Sequence, residues 1–328
     1  MKIVHICLCG AVTDGFSYQD NLLSKYHKKM GYDVSFITSR WIYNKDGHIT
    51  RFEKSHYWNG DGVFMIRLPN RLGETYEQKF KHFDGLTSEL EKEQPDIMFI
   101  HGPQFLEMKE IVKYVRNKNI RIYVDNHADF SNSGRKFLSK YILQGIVWKH
   151  MAHIIEPYTS KFYGVLPARV EWLKNVYKLP PSKCELLVMG ADDDMVEEAS
   201  CPDIRTNLRY TLGIGDDDFL IVTGGKIDPW KKQTLMLMDA VAKIDDPKIK
   251  LLLFGSVTDD LKEEFEKRCT EGKIIYVGWL ETDVTYSYVA ASDLVVFPGR
   301  HSVFWEQVCG QGKPMIVKHW EGTTGVSI

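Results

Sequence analysis

Two lysines, Lys226 and Lys231, follow a pair of glycines at the end of a strongly apolar segment. That segment, residues 219–223, has the composition of a buried parallel strand, and such strands deliver their carboxyl ends to the ligand crevice of an open α/β sheet. Gly224 and Gly225 let the backbone approach a ligand closely, and the helix predicted to follow them attracts anions at its N-terminus. The spacing therefore predicts a phosphate-binding site. The alternative is a solvated lysine cluster at the start of a surface helix.

Two histidines, His101 and His127, lie just beyond other apolar segments, residues 96–100 and 120–124. The carboxyl ends of parallel strands meet at one edge of a sheet, so we expect these side chains to be neighbours that face a ligand. An imidazole in that position can orient and polarise a polar substrate. Each histidine taken alone fits a hydrogen-bonded turn residue equally well. Gly15, in the loop after the first predicted strand, is a candidate for close backbone contact with a ligand.

Two acidic runs, residues 192–194 and 216–218, raise the question of a metal site. Paired aspartates can hold Mg²⁺ or Mn²⁺ against a leaving diphosphate. Both runs occupy predicted turns, and the lysines described above supply the positive charge that a cation would bring. We therefore predict no metal site.

Strand-like apolar segments alternate with amphipathic helical segments along the chain, which is the pattern of a doubly wound parallel sheet. The alternation restarts after Cys201-Pro202, so we predict two α/β domains, residues 1–202 and 203–328. Residues 41–75 lack a clear period and predict an insert of short strands and loops. Strands are predicted at 4–8, 33–38, 96–100, 120–124, 153–156, 185–189, 219–223, 249–254, 274–277 and 294–297, and helices at 18–30, 76–93, 161–176, 206–212, 233–242, 259–269 and 284–291.

The segment Gly225-Lys-Ile-Asp-Pro-Trp-Lys231 resembles the G-(R/K)-x-D-x-x-K-G motif of the retaining glycosyltransferases of family 4. Further short motifs follow in the order of that family's C-terminal domain: Phe254-Gly255, Val277-Gly-Trp-Leu280, Ala290-Ala-Ser-Asp-Leu294 and Phe297-Pro298. The resemblance covers essentially the whole chain. It implies the GT-B fold, in which two Rossmann-like domains with parallel sheets face each other across a cleft.

The activity implied by this resemblance is transfer of a sugar from a nucleoside diphosphate to an acceptor hydroxyl, with retention of configuration. It implies a nucleotide-sugar donor, with UDP-sugars favoured, a glycan or lipid-linked acceptor in surface polysaccharide synthesis, and no cofactor. The family's catalytic positions match His127, which would contact the transferred sugar, and Glu306, which would accept hydrogen bonds from the ribose hydroxyls. Gln307 is a competing match for the latter. Donor-side positions match Gly15, Gly225, Lys226, Trp279, Leu280, His301 and Ser302, together with Lys231, and His101 falls on the acceptor side.

The family's E-x7-E pair is altered here, because Pro298 stands where its first glutamate would be. This change leaves a second function open, that of a GT-B homologue with weak or no catalysis that serves as a binding or partner subunit. The sequence also stops at Ile328, before further strand and helix units that the family normally has, so we expect an incomplete C-terminal domain.

The net charge of −2 and the pI near 6.6 argue against a nucleic-acid-binding protein, which usually has a basic face. The sequence has no run of about 18 apolar residues that would predict a transmembrane helix, and its first residues favour a buried strand over a signal peptide, so we expect a cytoplasmic protein. Residues 135–149 combine cations with large apolar side chains. They predict either peripheral contact with an anionic membrane or a core helix whose lysines lie at a solvated edge.

Overall fold

The computed structural model describes residues 1–44, 48–73, 80–129, 133, 138–229, 232–299 and 302–319. Contacts between Cα atoms divide the chain into two compact units. Unit 1 contains Met1–Asn44 and Ile49–Met189, and unit 2 contains His48 and the chain from Gly190 onward to residue 319.

Unit 1 alternates strands with helices. Its strands are β1 (Lys2–Cys7), β2 (Asp33–Ser39), β3 (Trp41–Tyr43), β4 (Ile49–Arg51), β5 (His56–Trp58), β6 (Phe64–Leu68), β7 (Ile97–His101), β8 (Arg121–Asn126), β9 (Thr159–Gly164) and β10 (Cys184–Leu186). Its α-helices are α1 (Gln19–Lys29), α2 (Leu86–Glu93), α3 (Met108–Val115), α4 (Lys149–Ile155) and α5 (Pro167–Asn175), and a π-helix spans Leu138–Trp148.

The main sheet of unit 1 has eight strands in the order β10-β9-β8-β7-β1-β2-β6-β5. All neighbouring pairs are parallel except β5 and β6. The central strands are continuous apolar runs because they are covered on both faces; Ile6, Ile37, Ile100 and Val124 all lie in one buried core cluster. This arrangement places the carboxyl ends of β1, β7 and β8 side by side.

Unit 2 repeats the pattern on a smaller scale. Its strands are β11 (Phe219–Gly224), β12 (Ile249–Phe254), β13 (Ile274–Tyr276), β14 (Leu294–Phe297) and β15 (Met315–Val317), and its helices are α6 (Asp193–Ala199), α7 (Pro202–Thr211), α8 (Gln233–Ala242), α9 (Asp259–Glu266), α10 (Thr282–Ala291) and α11 (Phe304–Gly310). The sheet has the order β13-β12-β11-β14-β15, and all of its pairs are parallel. Strand β11, which precedes the glycine pair, lies at its centre.

The start of unit 2 is fixed by packing of residues 190–199 on α10 and α11. The backbone N–H of Asp192 donates to the hydroxyl of Tyr286 at 3.0 Å, and a Cβ at Gly310 would lie only 2.5 Å from the Cβ of Ala191. Asp192 also caps α6 by accepting the N–H of Asp194, so the first acidic run begins a helix. The predicted boundary after residue 202 lies inside unit 2, at the first residue of α7.

Two predicted elements are misplaced in the sequence analysis. The strand predicted at 153–156 is the end of α4 and the start of a short 3₁₀ turn, and the true strand is β9, six residues later. A short apolar run such as His153-Ile-Ile155 fits a buried helix turn as well as a strand, and Ile155 is fully buried. The helix predicted from Lys161 accordingly begins at Pro167, a residue favoured at the first helical position.

Other differences concern the insert and the second predicted helix. Within the insert, β6 is a strand of the main sheet and pairs in parallel with β2. Helix α2 begins only at Leu86, after Gly85 in a left-handed conformation (φ +91°), whereas the prediction began at residue 76; residues 74–79 lie outside the described part of the chain. The basic stretch predicted at 135–149 contains the π-helix, and the first residues of that stretch, 135–137, also lie outside the described part of the chain. Among the helices described, none is long and apolar enough to cross a membrane.

Candidate active site

Strands β7 and β8 bring three polar side chains together at the carboxyl edge of the unit 1 sheet. His101 is the last residue of β7 and is the direct register partner of Asp125 on β8. His127 follows directly after the last residue of β8, and one residue, Asn126, separates it from Asp125. The predicted proximity of His101 and His127 is therefore confirmed, and the residue that joins them is Asp125, which the sequence analysis did not select.

The Asp125 carboxylate contacts both rings. Its Oδ2 lies 2.8 Å from Nδ1 of His101, and its Oδ1 lies 3.3 Å from Nε2 of His127. The Asp125 side chain is fully buried and His101 is 1% exposed, whereas 38% of the His127 side chain is exposed. His127 is thus the member of the cluster that a ligand can reach.

The three side chains of this cluster affect one another's ionisation. Burial opposes ionisation of Asp125, but His101 and His127 outweigh it and hold the pKa of Asp125 below its usual range. Burial would likewise lower the pKa of His127, but the Asp125 charge and hydrogen bond reverse the sign and raise it. Asp125 therefore favours the protonated form of the partly exposed His127 ring.

His101, Asp125 and His127 also form a group that could hold a cation, since their ligand atoms lie within 4.8 Å of one another. Both carboxylate oxygens, however, already face histidine nitrogens at hydrogen-bond or ion-pair distance. Oδ2 is hydrogen-bonded to His101, whereas Oδ1 is buried and has only the ion-pair contact with His127 among the described residues.

Gly15 lies in the loop between β1 and α1, at the same edge of the sheet. Its φ is +78°, a region that favours glycine, and a Cβ there would meet nothing within 4 Å. The side-chain amide of Asn21 holds the loop by donating to the carbonyls of Thr13 and Phe16. Backbone conformation explains this glycine, and its predicted contact with a donor stays a prediction.

In unit 2, glycines allow β11 and β12 to end in close contact. A Cβ at Gly224 would lie 2.2 Å from the ring of Phe254, and one at Gly255 would lie 2.1 Å from the carbonyl oxygen of Gly225. Gly225 itself has φ +116°. A larger residue at either strand end would force the two apart, and the turn presents the exposed Lys226 directly after it.

Lys226 lines an open pocket of about 860 Å³ together with the loop that follows β12 and residues that follow β13. The hydroxyl oxygens of Ser256 and Thr258 in that loop are buried and have no hydrogen-bond partner among the residues described. Trp279 lies on the same pocket and is 36% exposed. A lysine, two hydroxyls and an aromatic face could together bind a phosphate and a planar base.

The other predicted donor residues have different surroundings. Leu280 is half-buried and packs against the core cluster of Val222, Leu252 and Phe254. Ser302 precedes α11, and its hydroxyl faces the N–H of Phe304 at 3.5 Å. Lys231 and His301 lie outside the described residues.

Glu306 and Gln307, the two competing matches for the ribose contact, differ in burial. Gln307 is 1% exposed and accepts a hydrogen bond from the hydroxyl of Thr285 at 3.1 Å. Glu306 is half-buried, in the first turn of α11, where a carboxylate is also stabilised by the helix dipole. The interior position of Gln307 favours Glu306 as the ligand-facing residue.

Residues 218–316 match the family model described as Glycosyl transferases group 1. Comparison with curated protein sequences gives no significant match. Among solved structures, Anabaena Alr3699/HepE in complex with UDP is 14% identical, with a TM-score of 0.65 over 99% of this chain and 82% of that one. Sucrose-phosphate synthase from Thermosynechococcus elongatus is 14% identical, with a TM-score of 0.67 over 100% and 84%.

A third similar structure is the catalytic domain of starch synthase IV from Arabidopsis thaliana bound to ADP and acarbose, which is 15% identical, with a TM-score of 0.66 over 98% of this chain and 83% of that one. At such identities the likeness establishes the fold. The chain has the α/β fold of the GT-B glycosyltransferases, and its residues 218–316 match the Glycosyl transferases group 1 family.

Proposed function

We propose that the protein transfers a sugar from a nucleoside diphosphate to an acceptor hydroxyl with retention of configuration. The observation that carries this proposal is the pocket at the end of β11, within the Glycosyl transferases group 1 match. It is lined by Lys226, by Trp279 and by two buried hydroxyls that have no hydrogen-bond partner in the described part of the chain. The structures of HepE with UDP-glucose and of starch synthase IV with ADP support a nucleotide-sugar donor. UDP-sugars are the donors we favour.

The chemistry of the step is a substitution at the anomeric carbon. The bond from that carbon to the β-phosphate oxygen breaks, and a bond to the acceptor oxygen forms on the same face. The acceptor proton passes to the departing phosphate oxygen. Lys226 and Lys231 would stabilise the charge that develops on the diphosphate, so we expect the reaction to need no metal or cofactor.

His127 would act on the sugar and not as a general base. The His127 ring is 38% exposed beside the Asp125 carboxylate, and its raised pKa favours the protonated form. A protonated ring donates a charge-assisted hydrogen bond to a sugar hydroxyl, which fixes its position and draws electron density from it. His101, fully buried, would support this ring through Asp125.

We further propose that the acceptor is a glycan or lipid-linked glycan and that the protein meets a membrane peripherally, on its cytoplasmic face. Four large apolar side chains of the π-helix, Tyr141, Ile142, Leu143 and Ile146, are 42–63% exposed. Lys140 lies beside them, with its ammonium 5.2 Å from the Tyr141 ring centre. Apolar side chains flanked by a cation match an anionic bilayer surface.

A GT-B protein that binds a partner or ligand without catalysis is the second candidate function. The observation in its favour is Pro298 at the end of β14, where the resemblance would place a glutamate. Both candidates share a nucleotide pocket or its remnant, so binding experiments test the site and transfer assays decide between the functions.

The binding test uses titration calorimetry with UDP, GDP and ADP. We expect one of them to bind, and Lys226→Ala to weaken binding by about 1.5–3 kcal/mol, the range for a hydrogen bond to a charged group. Lys231→Ala should have a similar effect. Lys243→Ala, an exposed lysine of the same unit, is the matched control and should bind as the parent does. If both site variants bind nucleotide as tightly as the parent, the phosphate assignment is wrong.

A further inference from the structure

A line of histidines runs inward from helix α1 to the Asp125 cluster. Nδ1 of His27, on α1, lies 3.0 Å from Nε2 of His5, and Nδ1 of His5 lies 2.9 Å from Nε2 of His101. His101 in turn contacts Asp125 through Nδ1 at 2.8 Å. His5 and His101 are buried, whereas His27 is half-buried. The line therefore joins solvent at α1 to a carboxylate that has no exposure of its own.

Hydrogen-bond rules determine where each proton lies. An ionised carboxylate only accepts, so Nδ1 of His101 carries the proton that faces Asp125. In a neutral His101, Nε2 is then an acceptor, and the proton between the rings belongs to Nδ1 of His5. By the same rule, Nε2 of His5 accepts the proton on Nδ1 of His27. All donors point toward Asp125, and Nε2 of His27 is the outermost acceptor.

One added proton reverses this line without moving a ring. When Nε2 of His27 takes a proton from solvent, its Nδ1 proton passes to Nε2 of His5, and the Nδ1 proton of His5 passes to Nε2 of His101. His27 and His5 end as neutral rings protonated at Nε2. His101 ends as an imidazolium that donates to both Asp125 and His5. Every contact keeps one donor and one acceptor in both states.

We propose that His27, His5 and His101 form a proton relay between solvent at α1 and the Asp125 carboxylate that His127 shares. The packing favours such a relay, because the His5 ring is stacked between Phe36 and Phe99, with ring centres 5.7 and 5.6 Å away. Those contacts hold it in line with its two neighbours. Burial, reinforced by the other histidines, lowers the pKa of both His5 and His27. Both rings are therefore neutral at neutral pH, each with one ring proton, and hold a second proton only in passage.

The use of the relay rests on the proposed role of His127. A bound sugar would cover the exposed side of His127, whereas the route from α1 would stay open. A proton delivered to His101 gives Asp125 a second cationic neighbour besides His127. The Asp125 carboxylate then stabilises the proton on His127 less strongly. Asp20 and Arg169 also act electrostatically on His127. Cys9 interacts with His127, and Lys81 acts on Cys9.

The relay is tested by proton exchange, with no nucleotide or sugar present. Histidine-selective ¹⁵N labelling of the full chain resolves the ring N–H signals, and saturation transfer from water measures exchange at His101. His27→Gln keeps hydrogen-bond groups next to His5, but an amide cannot take a proton on one atom and release it from another as imidazole does. We expect this variant, and His5→Gln, to slow exchange at His101 at least tenfold.

The exposed His150, outside the line, gives the control His150→Gln, which should exchange at the parent rate. His27 is only half-buried, so its variant tests the relay even if His5→Gln fails to fold. Parent-like exchange at His101 in a folded His27→Gln protein would overturn the proposal. Because no donor or acceptor enters the measurement, that outcome leaves the proposed transferase function untouched, and a failed transferase assay leaves the relay untouched.

Discussion

The chemistry of the candidate site depends on single side chains whose charge is set by their neighbours. The Asp125 side chain is fully buried, yet His101 and His127 lower its pKa and keep it ionised. Its negative charge in turn keeps a proton on the partly exposed His127. Removing this one carboxylate should therefore change the chemistry of a residue that remains in place.

We predict that Asp125→Asn lowers the pKa of His127 by about one unit or more, because an opposite charge at this distance shifts a pKa by roughly 1–3 units. The ¹⁵N chemical shifts of the His127 ring, followed through a pH titration, measure this directly. The raised pKa in the parent also means that His127 stabilises the folded protein below its unfolded pKa of about 6.5 and loses this contribution as pH rises through the folded value. An unchanged His127 titration in Asp125→Asn would contradict this account of the cluster.

The proposed ribose contact assigns different roles to two adjacent residues, Glu306 and Gln307. We predict that Glu306→Gln weakens nucleotide binding by about 1.5–3 kcal/mol, because the ribose hydroxyls lose a charged acceptor. A 2′,3′-dideoxy nucleotide should then bind the parent and the variant alike. Gln307→Ala should chiefly lower the melting temperature, since it removes the buried acceptor of the Thr285 hydroxyl. Loss of nucleotide affinity in a stably folded Gln307→Ala, with none in Glu306→Gln, would move the register by one residue.

At the scale of elements, the sequence predicts well where one element has one strong signal. Strands β12 and β14 and helix α8 have their predicted bounds, since a continuous apolar run marks a strand buried on both faces and a long amphipathic run marks a helix. The strand predicted at 153–156 is wrong because its two apolar residues, Ile154 and Ile155, fit a buried helix turn as well as a strand. Asp125 escaped selection because a carboxylate after an apolar strand is common. Only the register of β7 and β8 shows it between two imidazoles.

The proposed membrane contact also belongs to one element, the π-helix. It is anchored from within, as Gln144 is buried and accepts a hydrogen bond from the hydroxyl of Tyr177 at 2.7 Å, while Ile146 is 63% exposed. We predict that the protein floats with phosphatidylglycerol vesicles and that Ile146→Glu abolishes this, because a carboxylate opposes both insertion and an anionic surface.

Val188 is 73% exposed outside the π-helix, so Val188→Glu adds the same charge elsewhere and should leave flotation unchanged. Flotation with neutral phosphatidylcholine vesicles but not with phosphatidylglycerol vesicles would mean that the apolar side chains alone cause the membrane binding. No flotation with either lipid would remove the membrane proposal and would assign the apolar side chains to another partner or to none.

At the scale of the whole molecule, the candidate groups are divided between the units. The histidine cluster belongs to unit 1, and the Lys226 pocket is built around the strand ends of unit 2. The fold was predictable as a whole because the strand-helix alternation occurs twice along the chain. The packing that fixes the start of unit 2 could not be predicted from the sequence, because the contact of Ala191 with Gly310 joins residues far apart in the chain.

This division predicts that binding and transfer can be separated by mutation. His127→Ala should bind the preferred nucleotide as the parent does but transfer its sugar about 10²-fold more slowly or worse, the scale for loss of one oriented hydrogen-bond donor in a reaction. Lys226→Ala should lose both, since the diphosphate must be held before its charge can be stabilised. Release of nucleoside diphosphate from a panel of UDP-, GDP- and ADP-sugars, with and without glycan acceptors, measures the two activities. A parent protein that binds nucleotide tightly and neither transfers nor hydrolyses any of these donors would favour the binding subunit. Equal transfer by His127→Ala and the parent would instead keep the enzyme and remove unit 1's histidine from its mechanism.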